Sequence, residues 1–365
     1  MIYRNYGTTG ARVSALGFGG MRFEDIDNRD GCIEMMLAAA RGGVNYFDTA
    51  PKYFGIKSEE VFGLGLAEMR RQALPYYLAT KTFESTEEGI RREIEAQLTR
   101  LNVDAIDFYH VWCITTLTEW QERQRNGVLT ALTRLKEEGL IRHICVSSHL
   151  IGEEIRELLM EGVFEGVLFG YSGYNFQTRS KAFEAIRAHN LGCTIMNPLG
   201  GGIIPQHPQL FDFLKVHPDE SVVEAAIAFL LAHREISTVL VGFGNQAHVQ
   251  EALRAVERFD ESRSEKLEEI KAGAGAGFEG LCTGCQYCDH CPEEIPIPKL
   301  MDAFNHRLLL GDDEQVISRL KMHWGLSTDD AARCIACGIC EGLCTQHLPI
   351  IQRLAELAEL QPTQG

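Results

Sequence analysis

The sequence predicts an α/β fold: a closed (β/α)8 barrel followed by a smaller, α-helical module carrying clustered cysteines. Three observations lead there. Eight short apolar runs alternate with amphipathic stretches from the N-terminus to about residue 260, close to the ~250 residues typical of such a barrel. The alternation stops at a glycine- and alanine-rich run, 271–277, which marks a boundary by composition. Eight of the 12 cysteines then crowd into positions 282–344.

In chain order, strands are expected at 13–20, 45–50, 76–81, 105–112, 141–147, 166–172, 192–198 and 238–243. Amphipathic helices are expected at 31–41, 59–70, 86–100, 129–138, 153–160, 179–189, 220–233 and 246–259. Parallel strands need a helix-length crossover between neighbours, and eight such units suit a closed barrel better than an open sheet. The stretch 200–218, rich in Gly, Pro and His, reads as a long loop after strand seven, and 261–271 as one more helix. Farther on, two cysteine runs flank a helical middle, 298–320, and a Leu/Ala/Glu helix ends in a polar tail, 361–365. The expected domains are therefore 1–272 and 278–360.

The 365 residues are 45% hydrophobic, enough for a sizeable core. With 35 basic against 51 acidic side chains the formal net charge is −16. Nucleic acid and anionic membrane surfaces both require a basic footprint, so neither is expected as a partner. A positively charged protein remains compatible. No run approaches the ~20 apolar residues of a membrane span, and Met1-Ile2-Tyr3-Arg4 opens no secretory signal. A cytoplasmic location is expected.

Chemistry in such a barrel sits where the strands end. Asp48 ends strand two, Lys81 ends strand three, His110 lies near the end of strand four, and Tyr53 follows strand two on a loop. A phenol with a pKa near ~10 is a poor proton donor at neutral pH. An ammonium beside it stabilises the phenolate, and a carboxylate holds the ammonium in place. Lys81 would be that ammonium, Asp48 the carboxylate and Tyr53 the acid, while a neutral His110 would orient a carbonyl oxygen. Such an apparatus suits carbonyl reduction, with hydride from a bound cofactor.

Residues 1–260 resemble an aldo/keto reductase. The matching motifs are Gly17-Phe18-Gly19-Gly20-Met21, Phe47-Asp48-Thr49-Ala50 with Tyr53, Ser58-Glu59-Glu60, Thr80-Lys81 and Asp107-Phe108-Tyr109-His110. The resemblance implies a TIM barrel, NAD(P)H bound in an extended pose, a small-molecule carbonyl substrate, and Asp48, Tyr53, Lys81 and His110 as catalytic residues. It also implies cofactor contacts at Gly20, Met21, Asp48, Ser147, Met196, Pro198, Leu199 and Gly200. Further contacts are implied at Gly242, Phe243, Gly244, Asn245, His248 and Glu251. The run Gly242-Phe243-Gly244-Asn245-Gln246-Ala247 has the spacing of a dinucleotide fingerprint but follows the last strand, which excludes a Rossmann unit. Free N–H groups at a helix start still suit a phosphate. Relatives that prefer NADP carry Lys or Arg where Gly242 and His248 stand, so NADH use is also expected. Met196 stands where an aromatic usually stacks on the nicotinamide, and Ser147-Ser148 where an amide-bearing pair is usual. Trp112, Trp120 and Phe54 are candidate pocket walls or ordinary packing.

The cysteine runs are Cys282-x2-Cys285-x2-Cys288-x2-Cys291-Pro292 and Cys334-x2-Cys337-x2-Cys340-x3-Cys344. Zinc ribbons use two C-x-x-C pairs. Three cysteines at successive x2 spacings plus a remote fourth instead wrap a cubane, so iron–sulfur is favoured over zinc. By the bacterial ferredoxin pattern, one [4Fe-4S] cluster takes Cys282, Cys285, Cys288 and Cys344, and the other takes Cys334, Cys337, Cys340 and Cys291. Two features depart from that pattern: the first run ends with an x2 gap, and Thr345 replaces a proline. The module resembles the C-terminal ferredoxin-like iron–sulfur module of a subfamily of bacterial aldo/keto reductases. Two functions follow as expectations. One is an NAD(P)H-dependent carbonyl reductase coupled or docked through its clusters to a redox protein partner. The other is an electron-transfer or redox-sensor protein whose barrel has lost reductase activity.

Overall fold

A computed structural model describes residues 1–274 and 277–360. Gly275 and Ala276 of the glycine–alanine run, and the polar tail 361–365, lie outside the described residues. The chain divides into two compact units, Met1–Ala274 and Gly275–Gly365. No helix among the described residues is long and apolar enough to cross a membrane.

Unit one opens with an antiparallel hairpin, β1 (Tyr3–Asn5) and β2 (Arg12–Ser14). Eight parallel strands follow: β3 (Leu16–Gly19), β4 (Tyr46–Asp48), β5 (Tyr77–Thr82), β6 (Ile106–Ile114), β7 (Ile141–Ser148), β8 (Gly166–Gly170), β9 (Gly192–Met196) and β10 (Thr238–Gly242). They close in the order β10-β3-β4-β5-β6-β7-β8-β9. The expected strand 13–20 is thus two elements. Ser14 makes the break: its hydroxyl donates to the Leu16 carbonyl at 2.6 Å, and its N–H donates to Asn45 Oδ1 at 2.6 Å. The chain turns there from hairpin into barrel.

Beneath the strands the hairpin sets a plug. Tyr6 is fully buried, its ring centroid 4.3 Å from that of Phe108, and its hydroxyl is 3.1 Å from Thr194 Oγ1. It lies against the first residues of β8 and β9, where a Cβ on Gly192 would come within 2.1 Å of its ring. Only glycine admits that approach.

Several of the connecting helices start on side-chain caps, which satisfy otherwise unpaired N–H groups. Thr86 caps Glu87–Leu101, Asn245 caps Gln246–Glu257, and Ser221 forms a capping box with Glu224 on Val222–Leu231. The expected loop 200–218 contains short helical turns at Gly200–Gly202, Ile203–Gln206 and Pro208–Leu214, pinned by fully buried Phe211 and Leu214. Helix 261–271 is instead a 3-10 turn, Glu261–Ser264, followed by Leu267–Ala272.

Unit two is helical among the described residues, its longest helices being Ile297–Leu310 and Ile350–Ala358. The expected helical middle breaks into Ile297–Leu310, Asp313–Ser318 and a π turn, Arg319–Trp324. Leu300, Met301, Phe304, Leu354 and Leu357 form its core together with buried Cys288, Cys340 and Cys344.

Candidate active site

Asp48 is the last residue of β4, and the parallel register sets Lys81 of β5 beside His110 of β6. All three are at most 1% exposed. Lys81 Nζ donates to Asp48 Oδ1 at 2.5 Å and to the Thr49 carbonyl at 2.7 Å. The same Nζ lies 5.2 Å from the ring centroid of Tyr53, which is half-buried on the turn after β4. Tyr53 meets Trp112 edge-on at 5.7 Å, and Trp112 stacks on Phe83 at 4.1 Å. Trp120 is buried against Phe164 and donates to Glu161, so it is packing and not a pocket wall.

Burial dominates the electrostatics. It pushes the Asp48 carboxyl up and pulls the Lys81 ammonium down, and each partner opposes the shift of the other. His110 is pulled down to about 3, by burial first and by Lys81 second. The imidazole is therefore neutral at neutral pH and acts as a hydrogen-bonding group. The Val146 backbone lies close enough to favour the charged ring, yet neither ring nitrogen makes a well-formed hydrogen bond among the described residues. Asp48 Oδ2 is likewise buried without a partner. Buried polar atoms in that state call for an explanation, and a bound ligand is one.

Behind Lys81 stands a network that sequence reasoning did not include. Glu59, fully buried, accepts from Thr80 Oγ1 at 2.8 Å, Gln97 Nε2 at 3.1 Å and Arg100 Nε at 2.9 Å. Gln97 Nε2 also donates to the Lys81 carbonyl at 2.8 Å, and Tyr109 donates to Gln97 Oε1 at 2.7 Å. The one available signal was Glu59 inside the Ser58-Glu59-Glu60 motif.

The expected cofactor residues fall into groups at the strand ends. Gly20 and Met21 follow β3, and the Gly20 N–H donates to the Asp48 carbonyl at 2.8 Å. Ser147, 1% exposed, lies at the end of β7. Met196 ends β9 and leads through Pro198 and Leu199 to Gly200–Gly202, whose φ values of 65°, 69° and 110° suit glycine alone. Gly242 ends β10, followed by buried Phe243, then Gly244 and the cap Asn245. Asn245 Oδ1 accepts from the His248 N–H at 3.2 Å, and His248 Nδ1 accepts from the Gly244 N–H at 3.3 Å. Glu251 is turned to another task, accepting from Ser221 Oγ at 2.8 Å. Arg22, unmarked in the sequence, packs on Gly242, where a Cβ would meet its Cγ at 2.5 Å. The cradle of glycines and the unpartnered atoms of Asp48 and His110 fit an extended dinucleotide ending at the mouth.

In unit two, Cys282, Cys285 and Cys344 lie within electrostatic reach of Cys288, and Cys334 lies within reach of Cys340. Cys291 is half-buried and Cys337 exposed. Burial raises the Cys282 thiol to about 12 and the Cys340 thiol to about 11. All eight are free of disulfides. Among the described residues, no group of three or more His, Cys, Asp or Glu side chains is placed to hold a metal ion.

A closed parallel barrel with an acid, a lysine and a histidine on three adjacent strands defines the class: a (β/α)8 enzyme with its site toward the C-terminal mouth. The chain belongs to the aldo/keto reductase family, whose model matches residues 15–272, and it is an NAD(P)H-dependent oxidoreductase. It is 28% identical over 300 residues to L-galactose dehydrogenase of Arabidopsis thaliana, covering 74% of this chain and 93% of that protein. It is 27% identical to the NADH-specific methylglyoxal reductase of Escherichia coli, over 54% of this chain and 67% of that one. The holo structure of the aldo-keto reductase AKR11C1 from Bacillus halodurans superposes with a TM-score of 0.64 at 26% identity, covering 76% of this chain and 97% of that chain. The family match ends before both cysteine runs.

Proposed function

We propose that the protein reduces a small aldehyde or ketone to the alcohol, with Tyr53 as general acid. The observation that carries this is the Lys81 ammonium, held at 2.5 Å by Asp48 and 5.2 Å from the Tyr53 ring. When bound, NAD(P)H supplies a hydride to the carbonyl carbon. Tyr53 gives its hydroxyl proton to the carbonyl oxygen, and Lys81 stabilises the phenolate left behind. Asp48 keeps Lys81 oriented. Neutral His110 donates a hydrogen bond that aligns the oxygen with Tyr53. Trp112 and Phe83 wall the acid on one side and exclude water from it. Gly20, Met21, Asp48, Ser147, Met196, Pro198, Leu199, Gly200, Gly242, Phe243, Gly244, Asn245 and His248 are assigned to the cofactor, while Glu251 is engaged by Ser221. NADH and NADPH are both assigned, because neither Gly242 nor His248 offers a guanidinium fork while Arg22 stands beside Gly242.

Residues 278–360 are assigned two [4Fe-4S] clusters, on Cys282, Cys285, Cys288 and Cys344 and on Cys334, Cys337, Cys340 and Cys291. The proximity of the first four thiols supports this pairing. The clusters would exchange single electrons with a redox protein partner in the cytoplasm. The exposed Cys337 favours that over a purely structural role.

The test is Tyr53→Phe in the full chain. Carbonyl reduction should fall at least ~100-fold, the scale of a lost general acid, while NADH or NADPH still changes the protein fluorescence. Unchanged turnover overturns the role of Tyr53. Failure of either nucleotide to bind the unaltered chain favours the second reading, an electron-transfer or sensor protein.

A further inference from the structure

Among the described residues of unit two, two polar side-chain atoms are buried without a partner, Arg353 Nη1 and Thr283 Oγ1, and both residues lie near the first cysteine set. Arg353, on helix Ile350–Ala358, is 6% exposed. Its Nη2 donates to the Gly280 carbonyl at 2.8 Å, and its guanidinium carbon sits 4.9 Å from the Phe304 ring centroid. Its Nη1 finds no acceptor among the described residues. The groups that act on its charge are Cys282 and Cys344, with Glu356 after them. Glu356 already accepts from Arg307 at 2.8 Å. Thr283 Oγ1, beside Cys282, is also buried without a partner, and Thr345 Oγ1 lies 3.5 Å from Cys285 Sγ. A buried guanidinium with an unused arm is costly unless something negative faces it.

We propose that Arg353 sets the reduction potential of the cluster held by Cys282, Cys285, Cys288 and Cys344, and so makes the two clusters unequal. This rests on the iron–sulfur assignment and goes beyond it. Each electron taken up adds one negative charge to a site that is already anionic. A fixed cation in a dry surrounding favours the reduced form and raises the potential. Among the described residues, no cation is found acting on Cys340 of the second set, where the charges are those of Cys334 and Glu341. Cys337 is exposed, and the nearby Arg333 is exposed too, with its Nη2 given to the Glu294 carbonyl. Solvent and salt screen a charge in that position. Thr345, which replaces the proline of the ferredoxin pattern, adds a hydroxyl beside Cys285.

The experiment is an anaerobic dithionite titration of the full chain, followed by electron paramagnetic resonance, comparing the unaltered protein with Arg353→Gln and Arg353→Lys. At a fixed solution potential, Arg353→Gln should lower the reduced-to-oxidised ratio of one cluster roughly tenfold, about 59 mV for a one-electron couple. The other cluster should not move, and Arg353→Lys should recover most of the shift. Equal shifts of both clusters, no shift in a fully loaded Arg353→Gln chain, or no recovery with lysine overturns the proposal. Loss of half the iron in Arg353→Gln that lysine restores upholds a charge role. Loss in both variants makes Arg353 a packing residue and refutes it. An unaltered chain without iron and sulfide refutes the cluster assignment itself, and that result is read before either variant is made.

Discussion

His110 shows how far burial governs single residues in this site. Its ring is fully buried and pulled down to about 3, against an ordinary value near ~6.5 in an unfolded chain. Below pH ~6.5 the unfolded chain takes up this proton and the folded chain does not, so acid favours unfolding. The stability is complete above pH ~6.5 and is lost as pH falls toward 3, at about 1.4 kcal/mol per unit. His233, buried and pulled down to about 4, adds to the same slope. His110→Asn should therefore flatten the acid limb of a chemical-denaturation series between pH 6 and 4; an unchanged slope would mean that the ring is already charged in the fold. Turnover near neutral pH should show no titration from His110. Asp48, Lys81 and His110 were legible because each lies in or at the end of a strand whose apolar run is visible, although β6 runs on past His110 to Ile114. The Glu59–Gln97–Tyr109 support was not, because it joins residues on separate helices and strands through side-chain geometry alone.

At the scale of elements, strand positions were legible and their terminations less so. The run 13–20 looks continuous because both halves are apolar, and only the hydrogen bonds of Ser14 divide it. The stretch 200–218 looks like a loop by composition, yet Phe211 and Leu214 find burial and fold it into turns. The Tyr6 plug could not be read at all, since it depends on the hairpin folding under β8 and β9. It stands at the end of the barrel opposite the catalytic mouth, where substitution touches stability and not chemistry. Gly192→Ala would force a Cβ to within 2.1 Å of the Tyr6 ring. We expect a loss of about 1–3 kcal/mol, the cost of overpacking, seen in denaturant unfolding with carbonyl reduction at permissive temperature intact. Equal stability would mean that Tyr6 moves aside freely.

The whole molecule joins a two-electron hydride enzyme to a module assigned one-electron centres. Iron and acid-labile sulfide should each reach about eight per chain after anaerobic purification, four for each cluster. Stoichiometric zinc without sulfide would replace that assignment with a zinc module. The sequence by itself determined the barrel, the residues Asp48, Lys81 and His110 on adjacent strands, and the spacing of the eight cysteines. These are written in local periodicity and short motifs, which survive without knowledge of distant contacts. Only the tertiary structure decided that Lys81 lies between Asp48 and the Tyr53 ring. It also decided that Trp112 and not Trp120 borders that ring, and that Arg353, with one buried amino group unpaired, lies within electrostatic reach of Cys282 and Cys344. Burial and electrostatic pairing belong to residues far apart in sequence, and their energies exist only once the chain has closed around them.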